Sequence, residues 1–329
     1  MKNTLNKIKL ATLVAFGVMT SNAFACSAPT MADYWGLSAA TYLNFPDTAN
    51  QILTNACIDM SQYKKNKMDE PVFFIYDKTM LNVYRAHGID VTEFRNKVFK
   101  ADVLSYVLIR PYLGQKIGQP EKNAVLGYLR PYRPDVNESV FNKDDQTLNL
   151  VDHKKQYFTQ PNKDLLMALA KIQATQGTIN SDMFLNNDLH YAILTKNADV
   201  SKILIDDTGG LAKAYLFHFN KDFMTPLHFM FAPNRDEVDT SEQIRLNDYI
   251  LSQLTPQDKN KLMFMSIKGL NYFEFATLFK SNNPDFYKKL IAKFNVKVDQ
   301  DKLDKYDDIK PVLEKQMIYL TPIKEMLNT

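Results

Sequence analysis

An all-α fold is predicted for this chain on three observations. Glycine is scarce, 10 of 329 residues, under half the ~7% typical of globular proteins, which weighs against glycine-rich nucleotide loops and tight β-hairpins. Apolar residues make up 45% of the chain, with 21 Phe and 17 Tyr, enough to bury a bulky core. Apolar positions also recur at helical spacing, in segments of roughly 10–15 residues parted by short polar turns. The length allows one large or two modest domains. A weakly patterned polar stretch, Val136 to Asp152, sets a boundary near residue 160. It parts an N-terminal helical domain, residues 26–160, from a repeat-bearing one, residues 161–329.

Residues 1–25 stand outside that fold. Lys2, Lys7 and Lys9 precede the apolar run Leu10 to Met19, and Ala23-Phe24-Ala25 closes it with a small-x-small pattern. This is the layout of a secretory signal peptide cleaved after Ala25, and the run is too short to span a bilayer. No later stretch reaches the ~20 apolar residues of a membrane helix, so no membrane insertion is expected. Losing three lysines leaves 37 basic against 37 acidic residues, a balance with no general attraction for nucleic acid. The protein is expected in the periplasm, with onward secretion as the alternative. Cys26 and Cys57 lie 31 positions apart, and an even count in an exported chain reads as a disulfide. The rival reading is a lipid-anchored Cys26. It is disfavoured by Ala23 and bulky Phe24 in the places where lipoprotein sites carry an aliphatic and a small residue.

Along the chain, Thr30 to Leu43 is amphipathic, and Pro46 opens the next helix, to about Ser61. Lys64 to Glu70 is a charged connector. A helix is expected from Val72 to Ala86, although Val72–Tyr76 also fits a buried strand. Another runs from Val91 to Leu113, ended or kinked by Pro111. The triplets Arg110-Pro111-Tyr112 and Arg130-Pro131-Tyr132 are either helix ends with tyrosines packed inward or interface anchors.

Two segments repeat. Asn187-Asp188-Leu189-His190-Tyr191-Ala192 precedes Val200-Ser201-Lys202-Ile203-Leu204-Ile205, and later comes Thr225-Pro226-Leu227-His228. Thr225 and Asn187 are good N-caps, and Pro226 fits the first helical position. Leu189 and Ala192 share a face, as do Val200, Ile203 and Leu204. These segments resemble the ankyrin repeat, whose first helix opens Thr-Pro-Leu-His-x-Ala. The resemblance is clear over residues 187 to 254, and it implies helix–turn–helix units stacked as a short solenoid. It also implies that His190 and His228 brace neighbouring turns by hydrogen bonds. Lys196 stands where the family has a mid-turn glycine, and Phe229-Met230-Phe231 replaces the alanines. His228 follows His190 by 38 positions, against 33 in the family; the insertion Pro233 to Asp239 accounts for the excess. The partner helix opens at Thr240 with Gln243, then Ile244, Ile250 and Leu254. Fainter echoes are Thr79-Met80-Leu81 with Tyr84 and Gly88, and Leu262 to Leu278 with Gly269 in mid-turn.

No catalytic, cofactor or metal motif emerges. Asp207-Thr208-Gly209 has the wording of an aspartic protease, but that chemistry needs two aspartates, and the motif sits where a helix should stop. The five histidines form no HExxH, and GxSxG, GxGxxG and GxxxxGK[ST] are missing. Asp301 to Asp308 reads as a solvated charged face rather than a calcium loop. The chain is therefore expected to be a non-enzymatic module that binds another protein, without cofactor. By the resemblance, such a module protects against a toxin or supports a periplasmic enzyme. A hydrolase with an unrecognised N-terminal site and a secreted effector binding a host protein are the alternatives. Arg235, Asp236, Glu237 and Asp239, in the lengthened turn, are the candidate partner contacts.

Overall fold

The computed structural model describes residues 26–97, 100–113, 127–134, 162–233 and 240–318, without the side chains of 111–113 and 318. The signal-like segment and the four candidate contacts Arg235, Asp236, Glu237 and Asp239 lie outside them. The protein is mostly helical; among the described residues two strands, β1 (Ser266–Ile267) and β2 (Leu270–Asn271), pair antiparallel in one small hairpin.

Helix α1 (Met31–Tyr42) begins at a capping box. The Thr30 hydroxyl accepts from the Asp33 amide, and the Asp33 carboxylate takes the Thr30 N–H at 2.6 Å. Pro46 starts α2 (Pro46–Asn55), which stops at Ala56, earlier than the pattern suggested. A short helix, α3 (Ser61–Lys65), runs into the first two residues of the expected charged connector. The expected helix from Val72 is two pieces, a 3₁₀ turn Pro71–Phe74 and α4 (Lys78–Ala86). Asp77 divides them because its carboxylate caps the Met80 amide, which makes it a start signal inside an apolar run. The expected helix from Val91 is likewise a 3₁₀ turn, Val91–Glu93, then irregular chain, and only then α5 (Val103–Leu113), with Asp102 bonded to the Ser105 amide.

The later helices are α6 (Lys163–Thr175), α7 (Asp188–Leu194), α8 (Ala198–Asp206), α9 (Ala212–Leu216), α10 (Thr240–Gln253), α11 (Asp258–Phe264), α12 (Tyr272–Leu278), α13 (Pro284–Phe294) and α14 (Lys310–Ile318). They fall into two rows. In the first row α1, the Pro71–Phe74 turn, α5, α7, the 3₁₀ turn His228–Phe231 and α12 pack each on the next. In the second row α2, α4, α6, α8, α10 and α13 do the same. Each pair of one first-row and one second-row element is a unit, so the chain advances sideways unit by unit. Most buried apolar residues form one core cluster from Leu37 to Met317, with a small separate cluster of Tyr34, Tyr63 and Met68, and α6 packs on α4, α5 and α8.

The Thr225 unit departs from expectation. Thr225-Pro226-Leu227-His228 does not open an α-helix but a single 3₁₀ turn. Phe229, Met230 and Phe231 are all buried, so bulky side chains project all round the turn, and Pro233 follows closely. Its open carbonyls are taken by neighbours on both sides. Tyr272 donates to the Leu227 oxygen at 2.9 Å, Asn283 to Met230 at 3.0 Å and Asn282 to Phe231 at 3.0 Å. In α10, Leu246, Ile250 and Leu254 face the core, but Ile244 is exposed, against the expected stripe. The two fainter echoes are misplaced. Thr79 lies inside α4, a second-row element capped by Asp77, and Gly269 turns a hairpin between units.

Candidate binding surface

The two rows run antiparallel within each unit, which gives the stack two ends. At one end short turns follow α1, the Pro71–Phe74 turn, α7 and α12 and lead from first row to second; at the other, longer connectors lead to the next unit.

The connectors before α7, the His228–Phe231 turn and α12 close on related hydrogen-bonded pairs. Asn187 accepts from the His190 amide at 3.1 Å, while its own N–H donates to His190 Nδ1 at 3.1 Å. Asn271 makes both bonds with Glu274, its N–H donating to the carboxylate at 2.8 Å, whereas at Thr225 the N–H reaches His228 Nδ1 at 2.9 Å and the His228 amide bonds the Thr225 backbone carbonyl instead. With Nδ1 accepting, the proton of each imidazole sits on Nε2. His190 Nε2–H then donates to the Met224 carbonyl of the next unit at 3.3 Å. His228 makes no such bridge: its Nε2 has no hydrogen-bond partner among the described residues, and its ring packs edge-on against Tyr272 and Phe275. Burial lowers both imidazoles to about 3, so both are neutral. Leu189, Ala192 and Leu227 are fully buried beside them.

Backbone conformation explains the missing glycines. Lys196 has φ +56°, the left-handed conformation glycine favours, and Asn44 repeats it at +55° in the first unit's turn. The Lys196 side chain is buried, and desolvation lowers its amine to about 7. In the connectors a second left-handed position recurs two residues before the cap, held by Lys100, Leu185, Phe223 and Gly269.

The connectors are also tied to one another. The Lys221 amide donates to the Phe184 carbonyl at 2.9 Å, Asn220 to Asn186 at 3.0 Å, and His218 Nε2 reaches the Leu185 carbonyl at 3.1 Å. Lys213 pairs with Asp258, and Lys261 lies over the Phe217 ring at 5.0 Å, which brings α11 alongside. On this rim Leu185, Phe219, Phe223, Met263 and Phe264 are exposed. On the first row, α14 packs over the His228–Phe231 turn, with Leu313 and Met317 buried and Gln316 donating to Asp222 at 3.1 Å.

One group has the composition of a catalytic centre. Asp188 on α7 is fully buried, accepts from the Ser105 hydroxyl at 2.6 Å and faces Asp102. Burial, with the Asp102 carboxylate beside it, holds its acid well above the carboxylate range. The cavity beside Asp102 and Gln173 holds about 10 Å³, the room of one water. The pair joins the start of α5 to α7. Asp207-Thr208-Gly209 ends α8, with Gly209 at φ +60°, and follows a helix rather than a strand. Among the described residues no three metal-binding side chains cluster, and no helix is long and apolar enough to cross a membrane. Cys26 and Cys57 are joined, Cα to Cα 5.1 Å, and tie the start of the described chain to the end of α2.

Residues 127–134 return onto α1. The Tyr132 hydroxyl bonds Asp33, Tyr128 stacks on Trp35, and the Arg133 guanidinium lies over Phe45 at 4.4 Å. Tyr132 thus packs inward. The helical pattern gave the caps away; the exposed connector tips carried no signal, since a lone Phe between polar residues reads as core.

Comparison with protein-family models, with curated proteins and with solved structures finds no match.

Proposed function

We propose that the chain is an exported, ankyrin-like binding module that recognises another protein. The observation that carries this reading is the repeated unit. Four successive first-row elements, at Asp102, Asn187, Thr225 and Asn271, begin at a cap preceded two residues earlier by a left-handed residue, and His190 bridges its unit to the next. Such stacks present extended surfaces, and their function lies in turns and faces rather than in a buried pocket. The covalent Cys26–Cys57 bond supports an oxidising compartment, in keeping with a signal peptide ending at Ala25 and a periplasmic site. Protection against a toxin and support of a periplasmic enzyme are the two roles in view.

The partner is read on the sequence insertion that carries Arg235, Asp236, Glu237 and Asp239, with net negative charge; a partner with a basic patch would associate in a salt-sensitive way. The test is capture of a stoichiometric partner from periplasm, followed by replacement of Asn234 to Asp239 with a Gly-Ser linker of equal length. Lowered affinity at low salt supports this loop. Unchanged affinity in a folded variant removes it, and failure to capture any stoichiometric protein counts against the binding-module reading.

A further inference from the structure

We propose that the connector end of the stack docks on an anionic lipid bilayer, through Leu185, Phe219, Phe223 and Phe264 and the lysines around them. This goes beyond the protein-binding reading and uses other residues.

The exposed side chains stand on neighbouring loops bonded into one rim rather than scattered over the surface. Phe223 is 67% exposed and Phe264 86% exposed, unusual for aromatic groups that gain nothing from water. Phe223 and Leu185 also occupy left-handed positions, at φ +60° and +64°, where the corresponding connector before α12 has Gly269. A bulky residue there costs backbone strain that glycine would remove. Both are thus strained and unburied, which fits groups that are buried only on docking.

Charge and residue type select the partner. Lys221, Lys259 and Lys261 surround the tips and form no ion pair among the described residues. Of the nearby carboxylates, Asp258 is paired with Lys213, while Asp222 accepts from the neutral Gln316 amide and keeps its charge next to Lys221; Asp207, at the start of the connector, is exposed. Beyond the hairpin, where the Tyr306 hydroxyl approaches Gly269, the acidic run Asp299 to Asp308 marks the edge of the basic patch. Protein interfaces favour Tyr, Trp and Arg and are poor in Lys. Phe and Leu tips ringed by Lys are the composition of an interfacial membrane contact, apolar groups entering the headgroup layer and ammonium groups meeting lipid phosphates.

The experiment is flotation of the purified protein with vesicles of phosphatidylcholine alone or with roughly one-third phosphatidylglycerol. Binding is expected on the anionic vesicles and should fall about tenfold or more on neutral vesicles or in high salt. The double variant Phe223→Gly/Phe264→Ser should lose binding about tenfold at unchanged melting temperature, because both side chains are exposed and glycine suits the left-handed position. Lys259→Glu/Lys261→Glu should lose it similarly. No flotation at low salt, or equal flotation of the Phe variant, overturns the proposal. So does capture of a protein that requires Phe223 and Phe264 and is not competed by vesicles. Loss of the protein partner on replacing Asn234 to Asp239, without loss of flotation, would leave this proposal standing alone.

Discussion

Lys196 and Gly36 show how single positions are fixed by their surroundings. Lys196 is a buried amine whose ordinary value near 10.5 falls to about 7, donating to the Phe229 carbonyl at 3.4 Å. The unfolded chain binds this proton up to a higher pH than the folded one does. The penalty on stability is therefore full below pH 7 and fades as pH rises toward 10.5. Lys196→Met should raise stability by about 1–3 kcal/mol near pH 6, and the gain over the parent should shrink by pH 9, measured by denaturant titration at both. Gly36 in α1 is a close approach: a Cβ there would stand 2.7 Å from the Tyr132 ring and 3.3 Å from the Tyr128 carbonyl. Gly36→Ala should leave the helix intact and loosen residues 127–134, seen as faster proteolysis at that segment. Neither fact was legible beforehand. The mid-turn glycine is missing at Lys196 because a lysine tolerates the same φ at a cost, and Tyr132 meets Gly36 only through a return of the chain across α1.

At the scale of elements, the caps were readable and the helix lengths were not. Thr30, Asn187 and Thr225 announce starts because a short polar side chain before an apolar run has one best use, bonding the free amides of the first turn. How far the helix then runs depends on packing, so Thr225 opens one 3₁₀ turn and Asn187 a full helix. The two histidines of these caps make an acid-sensitive seam. Their folded-state values, about 3, lie below the ordinary 6.5, so their contribution is present above pH 6.5 and is lost as pH falls toward 3. Asp188 acts in the opposite sense: its raised value means stability is lost as pH rises through it. Asp188→Asn keeps the Ser105 bond and should gain stability over the parent at pH 8 more than at pH 5, by thermal melts in matched buffers. Leu189→Asp and Leu227→Asp, at fully buried positions, should each cost several kcal/mol and unfold or weaken the units that hold them.

For the whole molecule, the helical class followed from composition and periodicity, while the two-row order did not. Two of the six first-row elements are 3₁₀ turns too short to show a period, and the chain between 113 and 162 interrupts one unit, so the array looked like a repeat region joined to something else. Along the second row, units are also laced by charge: Asp199 on α8 pairs with Lys163 on α6 at 2.6 Å and with Arg245 on α10. These pairs are partly exposed and individually contribute little. The Cys26–Cys57 bond is the larger stabiliser at the N-terminal end. Replacing either cysteine with serine should cost about 3–4 kcal/mol by the loop-entropy estimate and lower the melting temperature by several degrees. Mass spectrometry without reductant should find the two joined; two free thiols would reject the pairing.

The return of α14 over the His228–Phe231 turn has a consequence for the order of assembly. In an array where each unit touches only its neighbours, a chain leaving the ribosome can settle its early units while later ones are still being made. The first four units make their main contacts within themselves and the fifth unit. The fifth cannot close so early. Its single turn takes partners from Asn282, Asn283 and Tyr272 and is covered by Leu313 and Met317, all encoded later. A growing chain that has reached residue 300 therefore holds an open fifth unit, which closes once Leu313 and Met317 have been added.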